Sequence, residues 1–193
     1  MIDEGGESYL KFLEGDETCF EKLVILYRNS MTDFINQIIS DFHCSEEIAE
    51  DVFVMLYVKK PRYIPIAGFK TWLYSIAKNK ARNYLKMKNR LSVVELPPDK
   101  VHSESPDQIL CEIYLDERKI ALHKALDELP SDYKLVLHLY YFDSLSVKEI
   151  AAILGKRSKM ISDALYNAKK SLRSVIVKGD KYEILRGNNY FDS

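Results

Sequence analysis

An all-α fold of two small helical domains joined by a flexible linker follows from three features of this sequence. Apolar residues recur every three or four positions in segments bounded by capping residues, which is the period of a helix with one buried face. A stretch holding three prolines, residues 91–112, has no sustained period and separates two such sets of segments. The 193 residues are 47% hydrophobic, enough for packed cores. The division expected is 1–91, a helical domain; 92–112, the linker; 113–178, a second helical domain; and 179–193, a tail without an assigned role.

From Phe20, the positions Leu23, Val24, Tyr27, Met31, Phe34, Ile35 and Ile38 predict a long amphipathic helix ending near Asp41. Ser45 is the expected N-cap of a second helix reaching about Lys59, with Glu46 and Glu47 in its first turn and Ile48, Val52, Phe53 and Leu56 along one face. Pro61, Pro65 and Gly68 then impose a loop.

Gly68 to Arg90 is the third segment, and charge singles it out. Between Val52 and Val94 there are ten Lys and Arg and no Asp or Glu, although the formal net charge of the chain is −1. Phe69, Trp72, Leu73, Ile76, Ala77, Tyr84 and Leu85 take one helical face, with Trp72 expected in the core. Lys70, Tyr74, Lys78, Arg82 and Lys86 recur every fourth residue on the other face, a ridge ~24 Å long beside Asn79 and Asn83. Such a ridge suits a nucleic-acid backbone, and an aromatic with amides suits unpaired bases.

In the second domain Ile120, Leu122, Ala125, Leu126 and Leu129 form an apolar stripe before Pro130. Ser131 is expected to cap a helix with Val136, Leu137 and Tyr140 inward. Ser146 and Glu149 read as a capping box, Gly155 as a left-handed stop, and Ser158 as the cap of a longer helix with Ile161, Ala164, Leu165, Ala168 and Leu172 inward. That layout is a helix-turn-helix. Arg157, Ser158, Lys159, Ser162, Asp163 and Tyr166 fall on its outward or leading positions, and Lys169, Lys170 and Arg173 follow where phosphates would lie.

Charge is segregated along the chain. Residues 1–51 hold thirteen acids against three bases, and residues 133–178 hold nine bases against three acids. Two polyanion-binding segments, with acidic surfaces that repel DNA or meet a basic protein, account for this pattern. No apolar run has the roughly 18 residues needed to cross a bilayer, so no membrane insertion is expected, and the acidic start lacks the features of a signal peptide, which makes the cytoplasm the expected location. Cys19, Cys44 and Cys111 are widely spaced and expected as reduced thiols. His43, His102, His123 and His138 lack metal-ligand spacing, and neither a phosphate-binding Gly loop nor a nucleophile elbow is present, so no metal, cofactor or enzymatic activity is expected.

Together these segments resemble the extracytoplasmic-function (ECF) group of bacterial sigma factors over roughly residues 18–176. SEEIAEDVFVMLY at Ser45 to Tyr57 is similar to the acidic helix of region two, GFKTWLYSIAKNKARNYL at Gly68 to Leu85 to its promoter-melting helix, and ALDELPSDYKLVLHLYYFDSLSVKEIAAILG at Ala125 to Gly155 to the opening of region four. The resemblance implies a protein that binds core RNA polymerase and directs promoter recognition, DNA melting and transcription initiation. It implies polymerase contacts at Glu47, Glu50 and Asp51. It implies minus-ten contacts at Arg62, Lys70, Tyr74, Lys78, Asn79, Arg82, Asn83 and Lys86, and minus-thirty-five contacts at Arg157, Ser158, Lys159, Ser162, Asp163, Tyr166 and Lys169. Many relatives are held by an anti-sigma factor, a further partner that no residue here identifies. The chain departs from the family pattern at Glu50, often Gln, and over Lys159 to Ala164, where KMISDA replaces a Gly-Thr-Val-Lys-Ser-Arg-like run. A helix-turn-helix regulator with an N-terminal sensing or dimerisation domain is the alternative reading.

Overall fold

In the computed structural model, which describes residues 3–92, 126 and 128–178, every regular element is helical. Four helices form the N-terminal half: α1 (Glu4–Leu13), α2 (Glu17–Ile39), α3 (Phe42–Lys59) and α4 (Phe69–Ser92). The C-terminal half contains α5 (Ser131–Leu137), a π-helical turn (His138–Phe142), α6 (Val147–Leu154) and α7 (Ser158–Lys178). The expected linker and tail, Cys111, His102, His123 and most of the stripe before Pro130 lie outside the described residues.

Helix α1 is the element that periodicity misses. Adjacent Gly5 and Gly6 lower its helix propensity, yet Gly5 is required by packing: a Cβ there would lie 2.4 Å from the Tyr27 hydroxyl and 2.8 Å from the Phe69 ring. Asp3 stabilises two helix starts at once. Its Oδ1 accepts from Gly6 N at 3.0 Å, and its Oδ2 accepts from Phe69 N, at the start of α4, at 2.8 Å. Tyr9 and Phe12 are then fully buried, with Tyr9 in an aromatic cluster with Tyr63, Phe69 and Trp72 at centroid distances of 5.2–6.4 Å. Trp72, expected in the core, is partly buried and packs against this cluster.

Three expected caps move. Helix α3 starts three residues before Ser45, because the Asp41 carboxylate accepts from Cys44 N at 3.1 Å. Ser45 is buried inside the first turn and donates its hydroxyl to the Asp41 carbonyl. The left-handed Ser40, φ 54°, lets α2 end and Asp41 cap α3 at once, leaving no room for a later start. Ser131 is the first residue of α5 after Pro130 and makes no capping bond. The expected core position Tyr140 is half exposed while Leu139 is buried. The π-helical turn, closed by Asp143 N donating to the His138 carbonyl at 3.2 Å, widens the repeat and rotates the face.

Ser158, expected as the cap of α7, is instead its first helical residue, because the helix begins one position earlier, with Ile161 N donating to the Arg157 carbonyl at 3.3 Å. The cap of α6 agrees with the sequence. Ser146 Oγ accepts from Glu149 N at 3.3 Å while Glu149 Oε2 accepts from Ser146 N at 2.9 Å, and Gly155 closes α6 at φ 67°. Leu139, Ile150, Ile153, Ile161, Leu165, Ala168 and Leu172 form the core beneath the helix-turn-helix, each large apolar side chain contributing roughly 1.5–3 kcal/mol by burial. The two halves meet where α4 packs on α6 and α2 on α5.

Because Asp3 serves two helix termini, Asp3→Ala should cost about 1–2 kcal/mol of unfolding free energy, read from the urea midpoint. Asp3→Asn has one amide oxygen and a donor NH2 in place of the other, so it can keep only one of the two bonds and should recover no more than about half of that loss.

Candidate nucleic-acid interface

Helix α4 carries the apolar line of the N-terminal core on one face, with Phe69, Leu73, Ala77 and Ala81 fully buried. Its other face divides in two along its length. Asn79, Arg82, Asn83 and Lys86 are exposed. Arg62 is exposed nearby in sequence, on the loop between α3 and α4. Tyrosine hydroxyls staple that loop: Tyr9 donates to the Pro61 carbonyl and Tyr63 to the Ala67 carbonyl, both at 2.8 Å, which leaves Ile64 and Ile66 facing solvent.

The first half of the ridge is covered. Tyr74, expected among the lysines on the solvent side, is fully buried, stacked on Phe34 at 4.7 Å and donating to Asp143 Oδ1 at 2.9 Å. Lys70 Nζ lies 2.8 Å from the same oxygen, and Lys78 donates to the Ile153 carbonyl. The reason is tertiary: the C-terminal half sits on this part of α4, so a face that is polar in helical phase becomes an interface. Burial with Asp143 beside it pushes the Tyr74 hydroxyl far above its ordinary value, so it stays a donor. Desolvation lowers Lys78, with a smaller contribution from Arg82.

On α3 the exposed carboxylates Glu47, Glu50 and Asp51 share one side. Glu50 pairs with Arg28 at 2.9 Å, Asp51 with Lys80 at 3.1 Å, and His43 stands 3.6 Å from Glu47. These surface pairs are individually weak, which leaves the carboxylates free to exchange partners. With Cys44, Ile48, Val54 and Tyr84 they line a shallow groove between α3 and α4, where the Tyr84 hydroxyl donates to Cys44 Sγ at 3.0 Å. Cys19 and Cys44 are both free thiols.

In the helix-turn-helix, Arg157, Ser158, Lys159, Ser162, Asp163 and Tyr166 are all exposed. Lys169 is partly covered, its ammonium 5.6 and 5.4 Å from the Tyr140 and Tyr141 ring centres. Sequence reasoning missed Asp143. It lies after an apolar run and before a turn, a setting in which an Asp ordinarily caps or faces water. Only the approach of α4 makes it a buried partner. No group of three or more His, Cys, Asp or Glu among the described residues could hold a metal ion.

A capped helix-turn-helix on a helical bundle places the chain among helical DNA-binding proteins. Comparison with known proteins narrows this. The family described as Sigma-70 region 2 matches residues 23–91, and Sigma-70, region 4 matches residues 119–172. The RNA polymerase sigma-H factor of Pseudomonas aeruginosa is 25% identical over 174 residues, covering 82% of this chain and 86% of that protein. The ECF RNA polymerase sigma-E factor of Escherichia coli K12 is 23% identical over 175 residues, covering 82% and 87%. Among solved structures, CnrH in complex with the cytosolic domain of CnrY shares the fold at a TM-score of 0.61 and 17% identity, covering 91% of this chain and 98% of that one. The sigma factor RpoE in complex with the anti-sigma factor NepR from Bartonella quintana does so at 0.61 and 17%, covering 83% and 98%. The chain belongs to the sigma-70 family of RNA polymerase sigma factors, in its extracytoplasmic-function group.

His138 gives the site a pH signature. Burial pushes its imidazole below the ordinary 6.5, outweighing the opposite pull of Asp143 and Asp33. The folded chain therefore binds fewer protons there than the unfolded one, and the contribution to stability present above about pH 6.5 fades as pH falls. Asp33 is raised by desolvation, its contribution fading instead as pH rises through the acid range. His138→Gln leaves Asp33 in place, so the urea midpoint of the variant should fall less steeply than that of the wild type between about pH 7 and 5.

Proposed function

We propose that this sigma factor directs core RNA polymerase to its promoters by docking through α3, opening DNA with α4 and reading duplex with α7, without catalysing a reaction itself. The observation that carries this reading is the presence, in one chain and in order, of both sigma regions with a basic, amide-bearing α4 in the first and, in the second, a helix-turn-helix whose first helix has a capping box and a left-handed Gly155 stop. The working units are taken as residues 1–91 and 113–178, tethered by 92–112.

Glu47, Glu50 and Asp51 provide the acidic face for polymerase. Asn79, Arg82, Asn83 and Lys86, with Arg62, hold the separated minus-ten strand; Lys70, Tyr74 and Lys78 join them once the C-terminal half has moved off α4. Arg157, Ser158, Lys159, Ser162, Asp163, Tyr166 and Lys169 address the minus-thirty-five duplex. Asp163 repels phosphate, so it is placed to accept from a base amine. An anti-sigma protein is a further proposed partner, supported by the solved neighbours, each of which is a complex with a second protein. No helix among the described residues is long and apolar enough to cross a membrane, and we place the protein in the cytoplasm with the polymerase.

In vitro transcription with purified core enzyme tests the reading. The chain should direct initiation at a subset of promoters from its own genome, and failure at every one would sink it. In that assay Asn79→Ala should lower permanganate reactivity of the melted region roughly tenfold, the loss of a base contact worth about 1–3 kcal/mol, with core affinity unchanged. Glu47→Lys combined with Asp51→Lys should weaken core binding about tenfold or more in a fluorescence titration, and most strongly at low salt. Wild-type affinity in that double variant would remove α3 as the docking face.

A further inference from the structure

The contact between the two halves is organised around one buried anion. Asp143 is only 6% exposed, and within its own half the His138 Nε2 stands 3.5 Å from Oδ2. Its charge partner comes from α4. Lys70 Nζ approaches Oδ1 at 2.8 Å and also donates to the Asp143 backbone carbonyl at 2.9 Å, while Tyr74 donates to Oδ1 at 2.9 Å. Two turns further along α4, Lys78 donates to the Ile153 carbonyl near the C-terminal end of α6, where unpaired carbonyls carry partial negative charge. A carboxylate and a negative helix end therefore sit on Lys70 and Lys78, ~12 Å apart along one helix face, in the positions that successive anionic groups of a strand would take.

The contact is also incompletely satisfied. Asp143 Oδ2 is buried without a hydrogen bond. An unpaired buried acceptor retains its desolvation cost, so closure holds with less than the full strength its area would allow. That suits a contact that must open.

We propose that the Asp143 segment is an internal competitor of single-stranded nucleic acid: in the free chain its carboxylate and the α6 terminus occupy Lys70, Tyr74 and Lys78, so closure of the two halves and strand binding by α4 exclude one another. This rests on the strand-binding reading of α4 above. Closure then lowers the apparent affinity of the free factor by the fraction of chains that are open. Asp33 on α2 and His138 at the π turn face the same cluster: both interact electrostatically with Asp143, and His138 also with Lys70. The acidic face of α3 lies outside the contact, so polymerase can engage it before the halves separate.

Asp143→Asn in the full-length chain keeps the side-chain volume and an acceptor for Tyr74 but removes the charge opposite Lys70. Binding of a fluorescein-labelled single-stranded oligonucleotide, at fixed low salt and without polymerase, should tighten at least about fivefold, the population-shift gain expected when most chains start closed. Small-angle scattering should show a larger radius of gyration in the same samples, with unchanged helical circular dichroism. Expansion with unchanged affinity would overturn the competition, and an unexpanded variant with unchanged affinity would overturn Asp143 as the group that holds the halves together. Photocrosslinking of the separated strand to α4 in wild-type holoenzyme probes the underlying reading alone. If the strand fails to crosslink there, the strand-binding role falls and takes the competition with it; a crosslink there without a gain in Asp143→Asn removes the competition only.

Discussion

Because α4 is one uninterrupted helix, Phe69, Leu73, Ala77 and Ala81 must all point the same way, and the N-terminal half is assembled against that line. Helices α2 and α3 supply the facing apolar stripes, and α1 closes the remaining edge with Tyr9 and Phe12. Once this face is committed to the core, the side chains a half-turn away have only two fates, water or another part of the chain. The structure uses both: Asn79, Arg82, Asn83 and Lys86 meet water, while Lys70, Tyr74 and Lys78 meet the C-terminal half.

The start of α4 is where several weak determinants converge. Its first backbone N–H is taken by Asp3 from the opposite end of the domain, its first aromatic packs against Gly5, and the loop leading into it is stapled by the hydroxyls of Tyr9 and Tyr63. A helix terminus leaves unsatisfied donors, and a long-range carboxylate that satisfies one also fixes the direction in which the helix leaves the core. Precision at this end sets the bearing of the exposed residues three turns later.

The second half shows the same logic at shorter range. Ser146, Glu149 and Gly155 define α6 by local hydrogen bonds and a left-handed turn, so it is largely independent of its surroundings. The π-helical turn before it is not: one added residue rotates Leu139 inward, leaves Tyr140, Tyr141 and Phe142 on the outside, and delivers Asp143 to α4. The charge pairing between the halves thus depends on a defect in a helical repeat.

What the sequence determined by itself was governed by interactions a few residues long: the helical period of α2, α3, α4, α6 and α7, the capping box, the Gly155 stop, the solvent-facing positions of α7, and the division of α4 into apolar and basic faces. Those follow from spacing because neighbours in a helix are neighbours in sequence. Tertiary structure alone decided the rest. Helix α1 carries Gly5, which the approach of Tyr27 and Phe69 requires, and Tyr74 passed from a basic ridge into a buried hydrogen bond with Asp143, sixty-nine residues away. Helical phase states which side chains leave the core together, but what covers them depends on contacts between distant segments, and no local pattern encodes those.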